Sequence, residues 1–200
     1  MNHLISLLIC LSFCQIGYNQ IPESELPKFQ EKGLRLVESF TESLSVLVTT
    51  TDQKLKDVYI KNAISRFQKD ATIEVSNGRT GDISSYQIED YVRNTFVKYT
   101  VKYKIVVISF EAIELSKFKE KKDENGNLYY ECKFKFVQVF SAAKDQLGES
   151  GLEGGNVKWS YVDRTKKKGR IIVKETYGPT GKEWQVSLGD IEVEETELLN

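Results

Sequence analysis

The chain offers few of the side chains on which most enzyme chemistry depends. Its single histidine and its three cysteines are His3, Cys10, Cys14 and Cys132. All but the last fall in residues 1–20, which contain no Asp, Glu, Lys or Arg and carry an apolar run from Leu4 to Ile16. This run predicts a secretory leader, because it is too short to span a membrane as a helix and the chain turns polar before Gln20. Removal of the leader would leave no histidine and one cysteine, which excludes a Ser-His-Asp triad, a Cys/His zinc site and an intramolecular disulfide.

The leader predicts an exported protein, either periplasmic or secreted, with a single domain over residues 21–200. Acylation of Cys14 or Cys10 is the alternative fate of the segment. It is disfavoured because bulky Phe13 and Ile9 stand where lipidation signals require a small residue. A domain of this length buries a sufficient core without a disulfide or a metal. Cys132 is expected to be a small core residue.

Carboxylates, tyrosines and two tryptophans remain as groups that could move a proton or contact a ligand. Asp163 is in strand phase with Trp159 and Tyr161, so the three side chains are expected on one face of a sheet. Glu175 lies further along the same alternating region. Trp184 follows a Gly-Pro-Thr-Gly turn, which places it near one end of the sheet.

The strand predicted over Tyr129–Phe140 is the central element of the predicted sheet. The other elements are expected to place the candidate residues around it. Its apolar face comprises Tyr130, Cys132, Phe134, Phe136 and Phe140, and its charged face comprises Glu131, Lys133 and Lys135. The apolar run Tyr103–Ile113 is its expected partner, with Asn125-Gly126 as the hairpin turn. Further strands are predicted at Val157–Arg164, Gly169–Tyr177 and Lys182–Glu194. A solvated turn is expected at Lys166–Lys168 and a β-bulge at Gly189-Asp190.

Three helices are predicted ahead of these strands. The first spans the amphipathic run from Leu26 to Val48, and the second is capped by Asp52. A short strand, Ala71–Ser76, follows, and the third helix begins at a capping box formed by Ser84 and Gln87. This order predicts an α+β fold in which three N-terminal helices pack on an antiparallel sheet of about six strands.

The order of elements resembles that of the nuclear transport factor two-like domains, a cone-shaped α+β family that includes ketosteroid isomerase and scytalone dehydratase. The resemblance covers Leu26–Val193 and rests on FQKDATIEVS, ISSYQIEDYV, YVDRT, IIVKETY and WQVSLGDIEV. In these details the chain resembles secreted bacterial members, of the kind encoded in Bacteroidota, more than it resembles the enzymes. The resemblance implies a strongly curved sheet that leaves a pocket at the wide mouth of the cone.

The same resemblance suggests where a ligand would bind, because the late strands of such domains line the pocket. The candidate ligand-binding residues are Trp159, Tyr161, Asp163, Trp184 and Tyr130. If the pocket were catalytic, Asp163 or Glu175 would be the base, and Tyr91, Tyr130 or Tyr161 the oxyanion donor. The alternatives are structural: Asp163 would be a strand-end residue paired with Arg164 or a turn amide, and the tryptophans would be core.

Two hypotheses about function follow. The first is an exported, non-catalytic binding module whose pocket or sheet face takes a small molecule or an envelope protein, and the second is a histidine-free acid/base enzyme such as an isomerase or dehydratase. The near-equal counts of 28 basic and 29 acidic residues argue against a nucleic-acid partner. Asp123–Asn127 resembles a calcium loop only superficially and is expected to be a tight turn, so no metal or cofactor is predicted. A homodimer through the outer sheet face is one expected assembly.

Overall fold

The computed structural model of the protein describes residues 20–95, 98, 101–144, 159–179 and 181–199. The elements are α1 (Leu26–Thr49), α2 (Gln53–Ile64), β1 (Thr72–Ser76), β2 (Ile83–Gln87), α3 (Ile88–Asp90), β3 (Ile105–Leu115), β4 (Lys119–Lys122), β5 (Leu128–Ala143), β6 (Tyr161–Gly178) and β7 (Gly181–Leu198). A 3-10 turn, Glu23–Glu25, precedes α1, and a π-helical turn, Tyr91–Thr95, follows α3. The predicted leader lies outside the described residues apart from Gln20.

The strands form one curved sheet in the order β2-β1-β7-β6-β5-β3, with β4 also paired to β5. Every pairing is antiparallel except that of β1 with β7, which is parallel at Ile73 and Ile191. The predicted α+β class with N-terminal helices on a curved, largely antiparallel sheet is therefore confirmed. The sheet has seven strands where about six were predicted. The short segments β2 and β4 add two strands, and β6 is one strand where two, Val157–Arg164 and Gly169–Tyr177, were predicted.

Helix α1 provides the main contact between the helices and the sheet. Its buried residues Val37, Phe40, Leu44 and Leu47 recur at helical spacing and form one apolar stripe. At Gly33 the helix backbone comes so close to the sheet that a Cβ atom would lie 2.6 Å from Ile171 Cγ2. The sheet face that includes Ile171 is called the inner face below. Asp52 caps α2 as predicted, since its carboxylate accepts hydrogen bonds from the amides of Lys54 and Leu55.

The alternation predicted for β5 is confirmed, because Tyr130, Cys132, Phe134, Phe136 and Phe140 are all buried. Cys132 is fully buried, as expected of a core residue. The predicted bulge near Gly189 is also present. Three steps along β7, from Ile191 to Leu188, oppose two steps along β6, from Gly169 to Ile171.

Three local predictions are wrong. Ser84 and Gln87 do not cap a helix, because their backbone pairs with β1 and the helical turns begin at Ile88. The Asn125-Gly126 turn closes the hairpin of β4 and β5, while β3 pairs with the later half of β5. Lys166–Lys168 is not a turn, since β6 runs through it without interruption. No helix among the described residues is long and apolar enough to cross a membrane.

Candidate functional site

The five candidate residues fall into two groups at opposite ends of β6. Tyr161 and Asp163 lie at its start, and Trp159 precedes it by two residues. Tyr130 and Trp184 lie at the other end, where the ring of Trp184 meets that of Tyr130 edge to face at 5.8 Å. Asp163 is ten residues from Val173, the partner of Tyr130, which corresponds to up to about 33 Å of extended strand. The structure therefore presents two sites to consider instead of one.

The first site is a group of buried and partly buried polar side chains that we call the inner polar cluster: Tyr161, Asp163, Thr165, Lys167, Ser76 and Thr196. The odd-numbered residues of β6 share the inner face, so Asp163, Thr165 and Lys167 continue the row of Ile171 and Val173. The Thr165 hydroxyl lies 3.4 Å from Asp163 Oδ1 and 3.2 Å from the Thr196 hydroxyl, which contacts that of Ser76. The Asp163 carboxylate and the hydroxyls of Thr165, Thr196 and Ser76 thus form one chain of hydrogen bonds.

Asp163 is buried in this cluster, with 7% of its surface exposed. Burial raises the pKa of the Asp163 carboxyl, and the hydrogen bonds from Tyr161 and Thr165 and the charge of Lys167 oppose that rise. Asp163 lies near the start of β6 and not where a strand finishes, as was expected, and the expected pairing with Arg164 is wrong. Arg164 projects from the other face of β6, where its guanidinium lies 3.0 Å from Glu111.

Lys167 was not among the predicted site residues, yet it is only 2% exposed. Its ammonium donates a hydrogen bond to the carbonyl oxygen of Glu74 at 2.8 Å. No carboxylate of the described residues lies within 4.0 Å of it, and burial lowers its pKa to about 8, although the charges of Asp163 and Glu74 act in the opposite direction. Strand alternation continued from Asp163 through Thr165 would have placed Lys167 on the inner face. The run of three lysines masked that signal.

The loop after β1 covers Asp163. The amide of Gly78 donates to the Tyr161 hydroxyl at 3.0 Å, and a Cβ at position 78 would lie 2.8 Å from that hydroxyl and 3.2 Å from Asp163 Cβ. The Arg79 guanidinium lies 5.6 Å from the centre of the Tyr161 ring. The cluster combines a buried carboxylate with a tyrosine hydroxyl, which is acid/base geometry, but it is covered by backbone at that point.

The second site is an open pocket of about 270 Å³ between the β4–β5 and β6–β7 turns, which we call the tip pocket. Its walls include Leu128, Tyr129, Lys174, Tyr177 and Trp184. Tyr177 is 80% exposed and Trp184 is partly buried, so aromatic surface is available to a ligand. Trp184 lies near the end of the sheet, as predicted.

Other candidates take positions that the sequence does not specify. Glu175 lines the tip pocket and accepts a hydrogen bond from the Lys182 ammonium at 3.0 Å. The Tyr130 hydroxyl accepts from the amide of Ile21 at 3.0 Å, so the start of the domain covers it. Tyr91 is buried in the π-helical turn. Among the described residues, no group of three His, Cys, Asp or Glu side chains could hold a metal ion.

Comparisons with known proteins find similarity in structure only. No protein-family model matches the sequence, and no curated protein matches it. Hexachlorocyclohexane dehydrochlorinase LinA-type3 from Novosphingobium barchaimii is 8% identical with a TM-score of 0.43, covering 86% of this chain and 94% of that one. An NTF2-like protein of unknown function from Pseudomonas aeruginosa is 9% identical with a TM-score of 0.40, covering 84% and 98%. At this level of identity the likeness is one of fold alone.

Proposed function

We propose that the protein is an exported binding module that takes a small molecule in the tip pocket, against Trp184. The observation that carries the proposal is an open pocket with a tryptophan in its wall. The inner polar cluster, by contrast, is covered by the backbone of Gly78. Ligand pockets combine apolar and aromatic walls with a few polar groups, and Leu128, Trp184, Glu175 and Lys174 provide both kinds of surface.

The binding is tested by tryptophan fluorescence with phenylacetamide as a neutral probe. In a Trp159→Phe variant the only emitting tryptophan is Trp184, and its emission should move to shorter wavelength as the ring of the probe displaces water. A ligand of this size is expected to bind with a Kd of about 1 mM. The reciprocal Trp184→Phe variant is the control, because Trp159 lies far from the pocket. Absence of a saturable change in the Trp184 emission would refute the proposal.

Export is tested separately. Expressed with its leader in a host with a general secretory system, the protein should be recovered outside the cytoplasm with a mature N-terminus near Gln20. Intact mass spectrometry measures this end directly. A chain that retains Met1, or that carries a lipid on Cys14, would contradict this part of the proposal.

A second candidate function is proton abstraction by Asp163 with Tyr161 as hydrogen-bond donor. It is favoured by the hydrogen bond between the two side chains and by burial, which raises the pKa of the Asp163 carboxyl. The backbone of Gly78 would have to move for a substrate to reach them. Deuterium incorporation into phenylacetone, followed by NMR, tests this function. Catalysed exchange that is lost in Asp163→Asn and kept in the surface variant Asp82→Asn would support it, and no catalysis by the native chain would count against it.

A further inference from the structure

Strand β2 forms one edge of the sheet, so it pairs on one side only, with β1. The amide of Ile88, just after β2, donates to the carbonyl oxygen of Ala71 at 3.0 Å. Successive residues of an antiparallel strand alternately face the partner strand and face away from it. Counted back from Ile88, the backbone N–H and C=O groups of Ile83, Ser85 and Gln87 therefore point away from β1, to the free edge.

This free edge lacks the charges, prolines and bulges with which edge strands usually avoid further pairing. The strand reads Ile-Ser-Ser-Tyr-Gln, and its register with β1 is unbroken. Among the described residues, no hydrogen bond reaches the outward backbone groups of Ile83, Ser85 or Gln87. Ile83 also exposes 54% of its surface. A row of unpaired N–H and C=O groups of this kind is a template for a further strand.

The opposite edge of the sheet, formed by β3 and β4, is protected. The register of β3 shifts between Glu111 and Glu114, and both of these acidic residues are exposed. Strand β4, which pairs with β5 on the same side as β3, reads Lys-Glu-Lys-Lys. The Ser45 hydroxyl of α1 donates to the carbonyl oxygen of Ile108 on β3 at 3.0 Å. Bulges, charges and a covering helix all oppose strand addition, so we expect it at β2 and not at β3.

The residues of β2 are suited to pair with a second copy of the same strand. In an antiparallel two-fold arrangement centred on Ser85, that residue lies opposite its own counterpart, and Ile83 lies opposite Gln87 at both ends. All three pairs are of the hydrogen-bonded kind, and each exchanges two hydrogen bonds, so the three pairs form six. No like charges face each other, and the two Ser85 hydroxyls can bond across the axis.

The charges that flank β2 also fit a second copy. Glu89 is already paired with Arg93 at 2.8 Å. Arg79 and Asp90 are exposed, and in the described part of the chain neither lies within 4.0 Å of an opposite charge. The two-fold arrangement puts position 80 opposite position 90, so Arg79 of each copy comes next to Asp90 of the other. Asp82 lies opposite the apolar position 88 and faces no acid directly.

We infer that β2 pairs with β2 of a second copy in an antiparallel two-fold arrangement centred on Ser85, which joins two seven-stranded sheets into one. The interface is small, so the dimer is expected to be weak, with a Kd on the order of 10–100 μM. No residue of β2 lines the tip pocket, so this inference does not depend on the proposed function.

Sedimentation equilibrium of the purified protein, with its N-terminus first determined by mass spectrometry, measures the association. The native chain should pass from monomer to dimer between about 1 μM and 1 mM. Ser85→Pro should raise the Kd of the dimer at least about tenfold, because it removes an outward N–H from each copy. That N–H does not pair with β1, and proline is tolerated at such positions of edge strands, so the variant should still fold.

Charges at position 85 test the register. Ser85→Lys and Ser85→Glu should each raise the Kd about fivefold, because each variant puts like charges opposite one another at the axis. An equimolar mixture of the two variants should associate at least as tightly as the native chain, since opposite charges then meet. Ser109→Lys is the matched control, because it adds the same charge to an exposed serine of β3 at the other edge of the sheet, and its Kd should equal that of the native chain.

A native chain that stays monomeric up to about 1 mM would overturn the inference. So would a dimer that Ser109→Lys weakens as much as Ser85→Lys does, because the interface would then involve β3 or the outer sheet face. A mixture of the Lys and Glu variants that associates no better than either variant alone would also overturn it. Circular dichroism checks that each variant is folded, and the mixture decides the question even if Ser85→Pro unfolds.

Discussion

Lys167 differs from its two neighbouring lysines because β6 directs its side chain into the core. Lys166 and Lys168 project from the outer face and pair with Glu195 and Glu192, whereas Lys167 between them enters the core. Burial of an ammonium disfavours its charged form, and one hydrogen bond to a carbonyl oxygen restores only part of the lost hydration. The three adjacent lysines therefore have different energetic roles.

The stability of the protein should rise with pH because of Lys167. Its pKa is about 8 in the folded chain and near 10.5 when unfolded, so between these values the unfolded chain binds more protons and the free energy of unfolding increases with pH. The difference is equivalent to about 3 kcal/mol. Urea unfolding at about pH 7.5 to 10 measures this effect. Comparison of the native chain with Lys167→Met separates the contribution of Lys167 from those of other titratable groups.

Lys166→Met is the matched control for this experiment. It removes an exposed lysine one position away, and its stability relative to the native chain should stay within about 0.5 kcal/mol at every pH. If the stabilities of the native chain and Lys167→Met changed in parallel over the whole range, burial would not lower the pKa of Lys167.

At the scale of elements, the contact between α1 and β6 is set by the absence of a side chain at Gly33. Glycine is unfavourable inside a helix by about 1 kcal/mol relative to alanine, so its presence there calls for a packing reason. Ile171 provides that reason, because two of its carbon atoms, Cγ2 and Cδ1, would lie 2.6 and 2.8 Å from a Cβ at position 33. The close approach brings the apolar stripe of α1 down onto the inner face of the sheet.

Gly33→Ala should therefore destabilise the protein by about 1–3 kcal/mol, as overpacking of a core does, although alanine has a higher helix propensity than glycine. In an Ile171→Ala background the same change should be neutral or stabilising, because the obstructing carbon atoms are gone. Thermal or urea unfolding of the four chains of this cycle measures the coupling free energy. Equal effects of Gly33→Ala in both backgrounds would show that Ile171 does not set the distance between helix and sheet.

At the scale of the whole molecule, the two ends of β6 have different roles. One end holds a closed polar cluster under Gly78, and the other holds an open pocket beside Trp184. The hydrogen bonds and ring contacts that we describe at each end involve separate sets of residues. Changes at the two ends should therefore act independently on stability.

The Trp184→Ala and Asp163→Asn variants test this independence. Trp184 is partly buried and lines an open pocket, so its truncation should cost less than the roughly 3–5 kcal/mol of a fully buried aromatic residue. The double variant should lose the sum of the two single effects within about 0.5 kcal/mol, because the contacts described at the two sites involve separate residues. A larger deviation in urea unfolding would reveal energetic coupling along β6.

Features that depend on local periodicity could be predicted from the sequence. The helical spacing of α1, the cap at Asp52, the inward face of β5 and the bulge near Gly189 all follow from rules that act within a few residues. The position of Trp184 near the end of the sheet follows in the same way from the turn that precedes it.

Features that depend on contacts between distant segments could not be predicted in this way. Ser84 pairs in a strand because β1 offers backbone partners. The ammonium of Lys167, on β6, finds its acceptor in the carbonyl oxygen of Glu74 on β1, a strand separated from β6 by β7. The candidate residues separated into two sites because the register of β6 with its neighbours puts Asp163 and Trp184 at opposite ends of β6. The alternation of residues along a strand does not predict this separation. Local patterns fix which face a side chain occupies, whereas only the packing of strands from across the chain fixes its neighbours.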